Sequence, residues 1–337
     1  RRQYKECARR RHEKFINVIK YSFKCHDNEV ASVMKNPIPI EVELKLALAP
    51  EGPATLCNHP FLVSKPSHQH TLTNTYFDTP EGDLAKAHIA LRLRKIDGKV
   101  LQTVKTAGQG GGGLSQRQEW EWQVPGHELD LVALAELPPF QGQLSSVLNA
   151  LAPQLSTDFM RRSWQLTDGL VNPVSTNQHS HIELVLDEGE IISGGYRTPI
   201  REVELELKDG DPEALWALAL TLSEQVPLRP SDSSKASRGN ALSNQHWPLP
   251  EAHSPAEWLH RATLALDAYH DSQQASFLTD AQQALATLAD HPALDADART
   301  YAQALTGGLD THGQPSTAYG KAALALAHRL AYQTELR

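Results

Sequence analysis

The sequence predicts an α+β protein: a β-rich part of eight strands followed by a small all-α region. Three observations predict it. Between residues 38 and 207, apolar and charged residues alternate with period two in successive short runs, as in strands whose side chains point to opposite faces in turn. Clusters rich in glycine, proline and aspartate, such as TPEGD, DGK, GQGGGG and SGGYRTP, separate those runs. Residues 256–337 are instead rich in alanine and leucine at helical spacing and broken by DHPALD and GGLDTHGQPS, so they read as about four helices.

The strands follow in order. IEVELKLAL sets Glu41, Glu43 and Lys45 on one parity and Val42, Leu44 and Leu46 on the other. LTNTYFDT comes second. IALRLRKI places Arg92 and Arg94 opposite Leu91 and Leu93, and KVLQTVKTA puts Thr103 and Lys105 together. SQRQEWEWQV carries Arg117, Glu119 and Glu121 against Trp120 and Trp122, which belong on the apolar side between sheet and helices. DFMRRSWQL is sixth. HIELVLDEGEI sets Glu183, Val185 and Asp187 opposite Ile182, Leu184 and Leu186; IREVELELKDG aligns Glu202, Glu204 and Glu206 opposite Val203, Leu205 and Leu207. Helical insertions are expected at about 50–64 and 128–151. A third helix, DPEALWALALTLSEQV, opens with Asp211 as an N-cap and Pro212 at the first helical position. Residues 229–255 mix serine, proline and glycine and read as a linker.

Bulk properties narrow the function. A chain of 337 residues suggests about two domains. Its net charge of −8 gives no support for nucleic-acid binding, which usually shows a basic domain. Three scattered cysteines, Cys7, Cys25 and Cys57, fit a reducing cytoplasm better than a disulfide framework or a zinc site. No apolar run approaches the length needed to span a bilayer, and the arginine-rich start lacks the apolar core of a signal peptide. Residues 1–36 stand apart as a basic segment. The favoured reading makes Met34 the natural start and the earlier residues non-native; the other is a basic arm, disordered or loosely helical.

An antiparallel sheet with one solvated face accounts for any one charged strand. The set demands more, because arginines cluster on one strand and carboxylates on others while the opposite faces are strongly apolar and need helices to cover them. If the sheet curls into a closed barrel with helices outside, the charges point inward. A small interior lined with unpaired charge is too costly to stand empty and must hold ions. Mutually repelling carboxylates suit a hard divalent cation, magnesium or manganese. The arginines and lysines beside them suit an anion with many oxygens. A polyphosphate chain carrying its own metal satisfies both.

The residues resemble a known family at this point. EVELK is similar to the ExExK signature of the CYTH superfamily, the triphosphate tunnel metalloenzymes. The likeness continues in order through YFDTP, LRLR, the Lys105 strand, QRQEWE, STDFMRRSW, IELVLDEGEI, EVELEL and SKASRG, over about residues 38–240. It implies an eight-stranded antiparallel barrel forming a tunnel, with helices outside. It also implies metal-dependent triphosphate hydrolysis, here of inorganic tripolyphosphate to pyrophosphate and phosphate, with Mg²⁺ or Mn²⁺ as cofactor. Carried over by position, Glu41, Glu43, Glu202 and Glu204 resemble metal carboxylates, with Asp187 beside them. Glu183, Glu119 and Glu206 are further candidates. Glu41, Glu43 and Glu204 are the set for a second ion near the attacking water. Lys45 resembles the tunnel lysine and joins Glu41, Glu43 and Glu204 as catalytic. Arg92, Arg94, Lys105, Arg117 and Arg161 resemble phosphate-binding cations; Arg162 has the opposite parity to Arg161, so Arg161 is the one expected inside. Lys235 and Arg238 resemble the basic residues of a closing helix.

The resemblance divides the chain into a CYTH-like domain at 37–240, a linker at 241–255 and a helical region at 256–337. That region is similar to a truncated CHAD module, though only His260, Arg261 and His270 offer a basic or histidine-bearing face. The expected partner is a triphosphate, with neither nucleic acid nor membrane. Other readings are a class IV adenylate cyclase, a thiamine or nucleoside triphosphatase, and a non-catalytic polyphosphate binder, against which the paired acids argue. GQGGGG lacks the GK[ST] of a phosphate-binding loop and reads as a hairpin connection. HQH at 68–70 and HSH at 179–181 read as surface histidines.

Overall fold

The structure, a computed structural model, describes residues 39–167 and 179–332. The basic segment and the Met34 start lie outside the described residues. The strands are β1 (Ile40–Leu48), β2 (His68–Asp78), β3 (Ala90–Ile96), β4 (Lys99–Lys105), β5 (Gln109–Gly111), β6 (Leu114–Val124), β7 (Ala152–Leu166), β8 (His181–Ser193), β9 (Tyr196–Asp209) and β10 (Leu228–Pro230). Eight of them form one antiparallel sheet in the order β1-β9-β8-β7-β2-β3-β4-β6, and β6 pairs back onto β1 to close it. The short β5 and β10 sit beside β6 and β1. The predicted eight-stranded barrel is therefore the observed one.

Boundaries differ where pairing outruns pattern. β2 starts at His68 and β7 at Ala152, earlier than alternation suggests, because the two strands pair with each other over their whole length, from His68 opposite Ser163 to Asp78 opposite Ala152. A ladder to a long neighbour extends a strand through a stretch with weak intrinsic preference.

The helices are α1 (Gly52–Cys57), α2 (Asp83–Lys86), α3 (Leu131–Glu136), α4 (Glu213–Ser223), α5 (Lys235–Asn244), α6 (Pro255–Ser272), α7 (Ala275–Ala289), α8 (Ala296–Thr306) and α9 (Thr317–Tyr332). The insertion at 128–151 is only a short helix followed by 3₁₀ turns at Pro138–Phe140 and Gly142–Ala150. Two prolines and a glycine at positive φ interrupt the regular ladder there. The linker reading of 229–255 fails over its first half, which holds β10 and α5. Ser234 caps α5 by accepting from the Ser237 amide, so serines that looked like linker composition are a helix start.

The apolar parities all face outward, as a covered barrel requires. Val42, Leu44, Leu46, Trp164, Leu184, Val203 and Leu205 pack against Leu215, Trp216, Leu218 and Leu222 of α4 and onward into α6–α9 as one continuous core. On the other side, Leu91, Val104 and Trp120 pack under Leu134, Leu137 and Phe140. Trp122 packs at the edge of that cluster, so both tryptophans lie between barrel and helices as expected.

The interior holds one feature that charge patterning does not announce. Leu72, Tyr76, Leu155, Phe159, Ile191 and Ile200 share the inward parity with Asn74 and Arg161, and they form a separate apolar cluster capped by Ala236 of α5. The inside of the barrel is thus part apolar plug and part charged chamber. Among the described residues, no helix is long and apolar enough to cross a membrane.

Candidate active site

Register builds the chamber. Arg117 lies opposite Glu41, Lys45 opposite Glu204, and Arg161 opposite Asp187. Asp187 lies opposite Glu202, Arg92 opposite Thr103, and Lys105 opposite Glu119. Directly opposed residues share a face, so every predicted charge on these strands turns inward together. The chamber opens into a cavity of about 2090 Å³ whose walls include Glu41, Glu43, Lys45, Arg92, Arg94, Lys105, Arg117, Arg161, Glu204, Lys235 and Arg238. Arg162 sits opposite Leu186 and is not on that wall, which leaves Arg161 as the inward residue of the pair.

The charges sort into two large acid–base groups, one smaller one, and a set of cations with no carboxylate in contact. In the first group, Lys105 Nζ donates to Glu41 Oε1 at 2.7 Å and lies 3.3 Å from Glu119. Arg117 Nε donates to Glu41 Oε2 at 2.8 Å, and its Nη2 binds Glu43. In the second, Arg161 makes a two-pronged pair with Asp187, 2.7 Å on each arm, and reaches Glu204 at 2.9 Å. Lys235 Nζ sits at the centre of three carboxylates, 2.7 Å from Asp187, 3.1 Å from Glu204 and bonded to Glu202. A smaller group joins Lys208 to Glu206 at 2.6 Å and to Glu183 at 3.1 Å.

The cations with no carboxylate in contact are Lys45, Arg92 and Arg94. Arg92 Nε donates to Thr103 Oγ1 at 3.3 Å and Arg94 Nε to Asn74 Oδ1 at 2.9 Å, and Asn74 is itself held by Thr157 at 2.9 Å. Among the described residues none of the three has a carboxylate within ion-pair distance, although Lys45 is only 6% exposed. Burial, then the charges of Arg92 and Arg161, pushes the Arg94 guanidinium down to about 10. Burial works against the Arg92 charge, but the Tyr76 hydroxyl, Glu119 and Glu121 outweigh it from beyond ion-pair distance. Cations crowded on one wall with no carboxylate in contact mark the place for an anion.

The acids respond to the same fields. Burial opposes ionisation of Glu41, yet Lys105 and Arg117 hold its carboxyl well below the usual range. Glu43 goes the other way, because burial and the neighbouring Glu41 charge outweigh Arg117. Burial also opposes ionisation of Asp187 and Glu204, but Arg161 and Lys235 keep both carboxyls low.

Asp187, Glu202 and Glu204 offer oxygens that all lie within 4.8 Å of one another. All three reach the Lys235 ammonium, which marks where a cation fits, while Arg161 also holds Asp187 and Glu204. Oxygen-only donors of this kind suit magnesium or manganese rather than a soft metal. Glu41 and Glu43, predicted beside them as metal carboxylates, stand in the other group with Lys105 and Arg117.

Comparison with known proteins assigns the barrel's sequence to a family. The model of the CYTH domain matches residues 39–239, from β1 into α5. The chain belongs to the CYTH domain family. An inorganic triphosphatase of Haemophilus influenzae is 36% identical over 216 residues, which make up 64% of this chain and 58% of that protein. The chain therefore spans less than two thirds of that relative's length. Among solved structures, HpAC1 from Hippeastrum, described as having a dominant triphosphatase activity, covers 63% of this chain and 100% of its own at 22% identity and a TM-score of 0.43. PH1819 from Pyrococcus horikoshii covers 58% of this chain and 96% of its own at 19% identity and a TM-score of 0.38.

Sequence reasoning missed several residues of the CYTH chamber. Asn74 and Thr157, which seat Arg94, carry no charge to draw attention. Asp271 of α6 lines the cavity and pairs with Arg238, whose Nη2 is 2.7 Å away. Asp232 accepts from the Gly113 amide at 2.7 Å and from His260 of α6 at 2.6 Å. The signal for Asp271 was the spacing of Asp267 and Asp271, four apart on one helix face.

Proposed function

We propose that the chain hydrolyses inorganic tripolyphosphate to pyrophosphate and phosphate inside the barrel, with Mg²⁺ or Mn²⁺ held by Asp187, Glu202 and Glu204. One observation carries this reading. One cavity presents Lys45, Arg92 and Arg94, none in contact with a carboxylate among the described residues, on the same wall as Glu204 and Lys235, and behind that wall the buried Asp187 and Glu202 complete a triad around the Lys235 ammonium. An anion binder alone has no use for the triad, and a metal store has no use for the cations.

In this reading Arg92 and Arg94, seated by Thr103 and Asn74, hold phosphate oxygens, and Lys45 holds the chain beside Glu204. Fixing both ends of a flexible polyanion supplies the positioning on which phosphoryl transfer depends. Water attacks the terminal phosphorus and the bridging P–O bond breaks. Arginines already aimed at the leaving pyrophosphate receive the charge it gains. When bound, the metal ion screens the phosphate oxygens and adds positive charge at the reacting phosphorus. The Haemophilus relative's name supports this choice of substrate.

The test is phosphate release from tripolyphosphate, ATP and thiamine triphosphate, each with and without Mg²⁺ or Mn²⁺. Tripolyphosphate should be turned over fastest, only with metal, and Glu204→Gln should lower the rate by at least about a hundredfold. Cyclic AMP from ATP would favour a cyclase instead. Binding without turnover of any of the three would reduce the protein to a polyphosphate binder.

A further inference from the structure

Helix α6 lies beyond the stretch matched by the CYTH family, residues 39–239. The chamber nevertheless uses it. His260, Leu264, Ala268 and Asp271 all line the cavity and follow one another at helical spacing. Two buried carboxylates on this side of α6 reach the segment that closes the barrel. Asp267 accepts from Arg229 at 2.6 Å, from the Ser231 hydroxyl at 3.1 Å and from the Ser233 amide at 3.1 Å. Asp271 Oδ1 accepts from Arg238 Nη2 at 2.7 Å and from Thr198 at 2.9 Å, and both its oxygens accept from Arg238 Nε at 3.1 Å.

Arg238 has two claimants. Its Nε and Nη2 are held by Asp271, and Nη2 also donates to the Pro199 carbonyl at 2.7 Å. Its Nη1 faces Glu202, a member of the carboxylate triad, at the looser distance of 3.6 Å. Asp271 thus keeps a buried guanidinium drawn to one side. Without that negative charge, Glu202 would be the nearest carboxylate left for Arg238, and a buried unpaired cation closes on whatever counter-charge it can reach.

We propose that Asp271 is a positioning residue for the cation site: by holding Arg238, it keeps Glu202 available to a divalent ion. This rests on the reading of Asp187, Glu202 and Glu204 as the metal-holding triad. It makes the C-terminal helical region part of the chamber, acting through one arginine. Asp271 lines the cavity but makes no hydrogen bond or ion pair with the triad itself. Its influence passes through the position of Arg238 alone.

The experiment is a Mn²⁺ titration of the full chain without any phosphate compound, with free Mn²⁺ read from its paramagnetic resonance signal. Asp271→Asn should weaken binding by at least about threefold, the size expected for charges in direct contact. Asp271→Glu should restore most of it. In an Arg238→Gln background, Asp271→Asn should change nothing further, because the arginine it governs is gone; a purely structural role for Asp271 would persist there. If wild type binds Mn²⁺, Glu204→Gln does not, and Asp271→Asn binds as tightly as wild type, the proposal is wrong while the triad stands. It is equally wrong if the weakening survives in the Arg238→Gln background. Should Asp271→Asn alone fail to fold, the Asp271→Glu and double variants still decide the question. No Mn²⁺ binding by wild type, or undiminished binding by Glu204→Gln, overturns the triad and the proposal with it.

Discussion

Glu206 shows how a single half-buried carboxyl leaves a trace in the whole chain's behaviour. Burial pushes it up to about 7, with Lys208 pulling the other way. Its folded-state value lies above its unfolded one, so the fold binds that proton more tightly than the unfolded chain does. Stability from this residue is full below about pH 4.5 and is lost as pH rises through about 7. Glu206→Gln should therefore flatten the fall in melting temperature between pH 5 and 8, while Lys208 keeps Glu183 at 3.1 Å as its partner. An unchanged slope would show that Glu206 ionises normally. The carboxyls held low by their neighbours, Glu41, Asp187 and Glu204, act in a separate acid window, where stability falls as pH drops. At this scale the sequence was most legible. Strict alternation put Glu43, Arg94 and Glu204 on a common face without coordinates, because a strand has only two faces. How the charges pair was not legible, since Lys105 meets Glu41 through the registers of β4 and β1 on β6, and Lys235 meets the triad through the seating of α5 against the barrel.

Among the elements, the glycine-rich hairpin from β5 to β6 is held by specific contacts. Gly113 has φ +90°, and a side chain there would come within 2.7 Å of the Lys45 carbonyl oxygen. Its own carbonyl accepts from the Lys45 amide at 2.9 Å and its amide donates to Asp232. Gly113→Ala should cost about 1–3 kcal/mol in denaturant unfolding and disturb β1 where Lys45 sits; a loss below a few tenths would show that the hairpin yields freely. Reading GQGGGG as a connection was right in kind, but composition cannot show that its last glycine bolts onto the first strand. The same limit applies to Ser231–Ser234, whose serine-rich run looked like linker and is instead bound to Asp267 of a later helix. The apolar plug around Phe159 and Tyr76 was hidden for a related reason. Its residues alternate like any strand, and only closure of the barrel places them inside.

For the whole molecule, barrel and C-terminal helices share one apolar core, and buried pairs cross between them. Arg229, only 4% exposed, depends on Asp267 for its counter-charge. Stranding such a cation costs about 3–5 kcal/mol. A fragment ending at residue 250 should then lose its cooperative thermal transition or melt far below the full chain; equal melting temperatures would show that the barrel stands alone. The central claim is that this one interior holds a divalent ion and a polyphosphate side by side. Anomalous diffraction from crystals of the chain soaked with Mn²⁺ and a non-hydrolysable tripolyphosphate analogue tests it most directly. A manganese peak is expected among Asp187, Glu202 and Glu204, with Lys235 displaced and phosphates on Lys45, Arg92 and Arg94. Manganese bound elsewhere, or an anion lying outside the barrel, would contradict it.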